Sequence, residues 1–385
     1  MRPLCWQPDY NNSIVNLVAA IAKACGGPAQ GYAPLAGLTG LAPARQPLVL
    51  LIVDGLGDVF LGSQPGSFLC RHRRGRLTSV FPPTTASAVT SFFTGVAPQQ
   101  HAITGWHTWF REVGAVVTVL PFRTRYGGPC LSRAGISPAL LIDHGSLLNS
   151  LDVPCHVVLP QQLVDSDYSR VLSGRASRHG YGSLAGMCGL LEKLAAPSQP
   201  GLIIAYWPEL DSLAHEHGIG SDRVAAHFLE LDRACRQTLA LLADRGTTVM
   251  VSADHGLVDT CREHTIHLAD HGELAACLTL PLCGEPRCAY CYVRADRGQE
   301  FERYVRERLG HACDLRKSGE LIREGYFGRG TPSPRLAERS GEYILLMKED
   351  YIIRDHLLGE KNYRHIGVHG SLSEQELHVP LIVLP

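Results

Sequence analysis

This chain lacks charge imbalance, long apolar runs and low-complexity tracts, and each absence excludes a class of function. Lys and Arg number 36 against 37 Asp and Glu, a formal net charge of -1. Neither a nucleic-acid polymer nor an anionic membrane surface is therefore expected as a partner. The longest apolar runs, such as Pro47–Val53, fall far short of the roughly 20 residues that span a bilayer. The opening segment, Met1 to Tyr10, has no basic stretch followed by an apolar one, so no export signal is expected. No internal repeat and no evident linker interrupts the sequence. These absences describe a soluble, cytoplasmic protein with no membrane or nucleic-acid partner; they leave its oligomeric state open.

What is present is a large potential core. The 385 residues are 45% hydrophobic, enough for one enlarged globular domain. The 13 cysteines, an odd number without an export signal, read as reduced thiols. Cys288 and Cys291, with Cys277 and Cys283 upstream, raise the question of a zinc knuckle. The surrounding run is strand-like, however, and strand alternation would point Cys288 and Cys291 to opposite faces.

Three apolar runs, Leu48–Val53, Leu202–Tyr206 and Thr248–Ser252, are nearly continuous, as strands covered on both faces should be. They alternate with helical patterns at about 12–25, 84–96, 182–196, 221–245 and 297–309, which predicts an α/β fold on a largely parallel central sheet. Segments at about 100–180 and 258–340 are rich in Gly and Pro and show no clear βα repeat. They are expected to cap the sheet edge, as elaborations of a single catalytic domain over 1–385.

Each strong strand leads to a carboxylate: Asp54 after the first, Asp211 shortly after the second, Asp254 after the third. Open α/β sheets bind ligands outside the carboxyl ends of their strands. Asp211 and His215 are spaced to share one helix face, His255 adjoins Asp254, and His369-Gly370 precedes the apolar C-terminal run. Singly, an Asp past a strand is ordinarily a helix cap and an Asp–His pair ordinarily a surface ion pair. Their conjunction at sheet edges argues for metal ligation. Mixed nitrogen and oxygen donors favour zinc, and also suit manganese or iron.

Between the first two carboxylates lies Phe81-Pro82-Pro83-Thr84-Thr85, followed by a helical stretch. Thr85 thus falls at a helix N-terminus, where backbone N–H groups attract an anion. A Thr hydroxyl needs activation to act as a nucleophile, and a metal supplies it. The ordinary alternative is that Thr84 or Thr85 simply caps the helix.

With these residues, the chain resembles the alkaline phosphatase superfamily, in its branch of type I phosphodiesterases and nucleotide pyrophosphatases. The resemblance runs from about Pro47 to Pro385, with gaps in the two capping segments. It rests on Asp54, the Phe81–Thr85 block, Thr94-Gly-Val-Ala-Pro98-Gln-Gln-His101, Asp211 with His215, Asp254-His255-Gly256 and His369-Gly370. It implies an alkaline phosphatase-like core and two divalent metal ions. One would be held by Asp211, His215 and His369, the other by Asp54, Asp254 and His255, with Thr85 as the nucleophile between them. Ala88 departs from the pattern: relatives carry an Asn there that holds a phosphate oxygen, a task that could fall to Thr104–His107. The cysteine motif of sulfatases is absent around Thr85.

The implied activity is cleavage of a small phosphate ester, with a nucleotide among the candidate substrates, through a phosphothreonine. A phosphomonoesterase, phosphonate hydrolase or phosphomutase on the same scaffold is the alternative, for which Arg111, Arg123, Arg125, Arg133 and Arg170 could supply charge. A metal-stabilised binding protein without catalysis is a remoter one. His264, His267 and His271, with Glu263 nearby, would share a face if helical and make a third metal conceivable, although a polar surface is the ordinary reading. His365 competes with His369 but has no following Gly.

Overall fold

The computed structural model describes residues 6–38, 41–196, 200–360 and 364–384. The first five residues, on which the reading of the N-terminus partly rests, lie outside them. Seven strands form a central sheet in the order Arg73–Thr78, His378–Leu384, Thr248–Ser252, Pro47–Val53, Gly201–Trp207, Cys155–Pro160, Ser177–Tyr181. The last five of these are mutually parallel. The C-terminal strand runs antiparallel to both its neighbours. Every residue of the strands Pro47–Val53, Gly201–Trp207 and Thr248–Ser252 is buried, which is why their sequences are apolar without alternation.

Helices cover the faces. The longest, Asp222–Asp244, buries Val224, Phe228, Leu231, Cys235, Leu239 and Leu242. That spacing of three and four is what its sequence shows, and Ser221 Oγ caps it by accepting from Val224 N. Helices Ile14–Ala24, Thr85–Thr94 and Leu184–Leu194 lie where periodicity places them. The helix from Gly298 winds its last part, Val305–Leu309, as a π-helix.

The capping segments hold more order than their composition suggests. Short strands from both, with Tyr343–Met347 just beyond the later segment, join in a second seven-stranded sheet, ordered Cys313–Lys317, Tyr343–Met347, Cys288–Cys291, Cys283–Glu285, His107–Phe110, Ala115–Thr118, Arg123–Thr124. All its pairings are antiparallel. Cys288 and Cys291 sit in different core clusters, as alternation along a strand requires.

Two expectations need correction. The stretch at 100–180 does contain a βα repeat: Cys155–Pro160 and Ser177–Tyr181 are parallel strands of the central sheet. They form its edge, and Ser-Arg-His-Gly-Tyr181 is mostly polar because only one side of an edge strand needs covering. His264, His267 and His271 do not share a helix. His264 lies in a loop, His267 ends a short strand, and His271 bonds the Tyr304 hydroxyl at 2.9 Å. Among the described residues, no helix is long and apolar enough to cross a membrane.

Candidate metal centre

The fold brings Asp54, Asp254, Asp211, His255, His215, His369 and Thr85 together at one edge of the central sheet. Asp54 directly follows the Pro47–Val53 strand, Asp254 lies just past Thr248–Ser252, and Asp211 and His215 lie on the helix Glu209–His217 that follows Gly201–Trp207. Gly256 allows the turn after His255: a Cβ there would stand 2.0 Å from the Gln375 carbonyl oxygen.

Each carboxylate has one oxygen held by the protein and one without a hydrogen-bond partner. Asp54 Oδ2 accepts from the Tyr206 hydroxyl. Asp254 Oδ1 accepts from Gly55 N at 3.2 Å and His255 N at 3.0 Å. Asp211 Oδ2 lies 3.2 Å from His215 Nε2. The other oxygens, Asp54 Oδ1, Asp254 Oδ2 and Asp211 Oδ1, are buried and take no hydrogen bond. Buried acceptors are seldom left so, and a cation is the partner that suits three of them.

The imidazoles are oriented to match. Nδ1 of His215 lies 2.7 Å from the Gly367 carbonyl, that of His255 3.2 Å from Gly256, and that of His369 3.2 Å from Pro83. A carbonyl only accepts, so each Nδ1 carries a proton and Nε2 is left as the atom that would ligate, in His215 the one that faces Asp211 Oδ2. This is how backbone groups set the tautomer of metal-binding histidines. His255 Nε2 stands 3.3 Å from Asp54 Oδ1, 3.5 Å from Asp254 Oδ2 and 3.1 Å from Thr85 Oγ.

Ligand atoms of Asp54, Asp254 and His255 lie within 4.8 Å of one another, as do those of Asp211, His255 and His369. His255 is therefore common to both groups, stacked on His369 with ring centroids 3.7 Å apart. His215 adjoins the second group through Asp211. His365 packs on His215 at 4.5 Å, outside both.

Electrostatics agree with a cationic occupant. Burial, and then Asp254 and Asp211, push the Asp54 carboxyl well above the usual carboxylate range. Burial would also raise Asp211, but His215 outweighs it and holds Asp211 low. Burial works against the His215 cation, yet Asp211 overcomes this and lifts it to about 9. His369 is pushed well down by burial and by His255. Positive charge between the carboxylates relieves the repulsion. The donor set and the unpartnered oxygens fit divalent metal ions.

A profile of the type I phosphodiesterase / nucleotide pyrophosphatase family matches residues 49–372. The chain belongs to that family, within the alkaline phosphatase superfamily. It is a metal-dependent phosphoester hydrolase. Similar solved structures include murine ectonucleotide pyrophosphatase / phosphodiesterase 5, 15% identical with a TM-score of 0.65 over 87% of each chain. The human counterpart is 15% identical, TM-score 0.62, covering 88% of this chain and 87% of that one. Phosphonoacetate hydrolase from Sinorhizobium meliloti 1021, in complex with phosphonoformate, is 17% identical, TM-score 0.60, over 88% and 90%. At such identities these neighbours show a shared fold. A search among curated protein sequences finds no match.

In this phosphodiesterase-family chain, Thr84 takes the N-cap position of the Thr85–Thr94 helix but makes no side-chain cap. Its hydroxyl donates to Glu285 Oε1 at 2.5 Å, and Trp106 N donates to the same oxygen at 2.8 Å. Glu285, from the second sheet, thus clamps the segment carrying Thr85. Burial lifts its carboxyl to about 7. The Thr104 hydroxyl donates to the Arg339 carbonyl, so neither it nor Trp106 N is directed at Thr85 to replace the Asn missing at Ala88. His101, in the motif after the Thr85–Thr94 helix, is structural: its ring bonds Ser91 Oγ and Ile103 N, each at 3.0 Å.

Tyr206 and Glu285 escape sequence reasoning. Tyr206 is one apolar-looking strand residue among several, and it meets Asp54 only through the pairing of their strands. Glu285 has no local motif, because its partners are 201 and 179 residues away.

Proposed function

We propose that this chain cleaves phosphodiester or pyrophosphate bonds with two divalent metal ions, most suitably zinc, through a phosphothreonine at Thr85. One observation carries the proposal: the Thr85 hydroxyl sits at a helix N-terminus, 3.1 Å from His255 Nε2, where unpartnered carboxylate oxygens gather. Asp54, Asp254 and His255 would hold one ion, and Asp211, His215 and His369 the other. When bound, such ions lower the pKa of a coordinated hydroxyl and offset charge on entering and leaving oxygens. Thr85 Oγ would lose its proton and bond to phosphorus as the bond to the departing ester oxygen breaks in line; water would then take the phosphoryl group and return a proton to Oγ, restoring the hydroxyl. The first N–H groups of the Thr85–Thr94 helix would be donors for the phosphate oxygens. Glu285 keeps Thr84, and with it Thr85, in register.

A diester or pyrophosphate is favoured over a monoester by the fate of the cap arginines. A monoester's extra negative charge calls for a cation, but Arg111 pairs with Glu338, Arg125 with Asp355 and Glu360, and Arg170 lies 3.8 Å from Asp165. Arg123 and Arg133 are exposed. The murine neighbour has also been solved with AMP, which makes a nucleotide a natural first substrate to assay. Phosphonate hydrolysis or phosphomutase chemistry on the same residues is the second reading, in keeping with the phosphonoacetate hydrolase neighbour. No disulfide joins two of the described cysteines, in keeping with a reducing, cytoplasmic setting. We take residues 1–385 as one catalytic domain, with the second sheet as its cap.

Thr85→Ala should abolish turnover while retaining bound metal, and the quenched wild-type enzyme should carry a phosphoryl group on the Thr85 peptide. Near-wild-type activity of the variant would reject the nucleophile. Parallel rates on chromogenic diester, monoester and phosphonate substrates decide between the two readings.

A further inference from the structure

Cys261 and His264 lie three residues apart in the loop after the short strand Val258–Asp259, and Asp350 lies in the turn between Tyr343–Met347 and Ile352–Arg354. Nothing local joins them. Tertiary pairing does: Thr265–His267 runs parallel to Ile352–Arg354, with Thr265 opposite Ile352. Ile352 N donates to the His264 carbonyl at 3.0 Å. Thr265 closes the loop, its hydroxyl donating to the Cys261 carbonyl at 2.9 Å and its N–H to that of Arg262 at 3.2 Å.

The result is a convergence of three unlike donors. One ligand atom each from Cys261, His264 and Asp350 lies within 4.8 Å of the others, and all three residues are partly exposed. A tetrahedral zinc with bonds of about 2.0–2.3 Å spaces its ligands at roughly 3.3–3.8 Å. His264 Nδ1 and Asp350 Oδ1 stand 2.7 Å apart, so an ion needs that pair to open by roughly half an ångström. The Tyr351 ring, 4.2 Å from that of His264, covers one side.

An isolated His–Asp surface pair would need no thiol beside it. A thiolate, an imidazole and a carboxylate around one point, with solvent access for a fourth ligand, form a set that a borderline-soft divalent ion prefers. We propose that Cys261, His264 and Asp350 form a third metal site, for zinc or a similar thiolate-binding divalent ion.

Such an ion would pin a loop that supports the metal centre from outside. Val258–Asp259 pairs with Gly367–Val368, directly before His369. Thr260 N donates to the Ile366 carbonyl at 2.8 Å. The Asp259 carboxylate accepts from Ile219 N and Gly220 N, just past the helix carrying His215. The site's role is therefore structural, and it depends on no particular substrate.

Cobalt(II) titration of the full chain tests this, because the main centre offers only oxygen and nitrogen donors. The wild type should develop a near-ultraviolet thiolate-to-cobalt band. Cys261→Ser should lose it together with one equivalent of bound ion, and His264→Ala should lose or greatly weaken it. Asp54→Asn should keep it. Absence of the band in wild type, or a band unchanged in both Cys261→Ser and His264→Ala, would overturn the assignment.

Discussion

Glu376→Gln is expected to be among the most damaging single changes outside the metal ligands. Glu376 is fully buried, and its two oxygens accept from Arg287 Nε at 3.0 Å and Nη2 at 2.7 Å, from Ser371 N at 2.9 Å and from Ser373 Oγ at 2.6 Å. Its own carbonyl accepts from Gly256 N at 2.9 Å. One residue therefore ties the loop after His369 to the turn after Asp254-His255. Burial alone would raise this carboxyl, but Arg287 holds it below the usual range, so the pair is charged at neutral pH.

Glutamine keeps the shape and leaves the Arg287 guanidinium buried without its counter-charge. Breaking a buried pair this way costs roughly 3–5 kcal/mol, whereas replacing both partners is often close to neutral. Guanidinium denaturation at neutral pH should show that loss for Glu376→Gln, and Arg287→Met combined with it should recover most of the loss. Because both ligand loops loosen, metal affinity should also fall by about 10–100-fold. A single variant within about 1 kcal/mol of wild type, or a double variant no better than the single, would refute the reasoning.

Tyr206→Phe leaves Asp54 Oδ2 without its donor, at about 1–3 kcal/mol of stability, and chelator competition should show weaker metal binding. Gly256→Ala puts a Cβ 2.0 Å from the Gln375 carbonyl oxygen. Displacing the Asp254-His255 turn by about 1 Å should cut kcat about 100-fold, and wild-type rates would exclude that constraint. Glu285, raised by burial from 4.5 to about 7, makes the metal-free protein less stable as pH rises. Below 4.5 it is protonated in both folded and unfolded chains and costs nothing; above 7 the full penalty of about 3 kcal/mol applies. Urea denaturation of chelated protein should show that slope in wild type and not in Glu285→Gln; equal slopes would contradict it.

Local patterns carried the middle of the central sheet, though not its Cys155–Pro160 and Ser177–Tyr181 strands, and the acidic and imidazole residues at its edge. Fully buried strands must be apolar throughout, so Pro47–Val53, Gly201–Trp207 and Thr248–Ser252 are visible in one dimension. A ligand placed just past such a strand is read with it, and Asp211 and His215 are linked by helix period alone. By itself the sequence thus determined the α/β core and picked out the Asp, His and Thr residues that the fold gathers at one sheet edge. The second sheet was hidden because its strands are two to five residues long and its pairings join segments far apart in the chain. Glu285, Tyr206 and Glu376 were hidden for the same reason, since each acts on a partner brought near only by strand pairing or loop packing. Tertiary structure alone decided which oxygen of each carboxylate stays unpartnered and which nitrogen of each imidazole faces inward. It also separated His264, His267 and His271, which lie in a loop, at the end of a short strand and beside Tyr304. Hydrogen-bond geometry across hundreds of residues leaves no periodic trace, whereas burial of an apolar strand does.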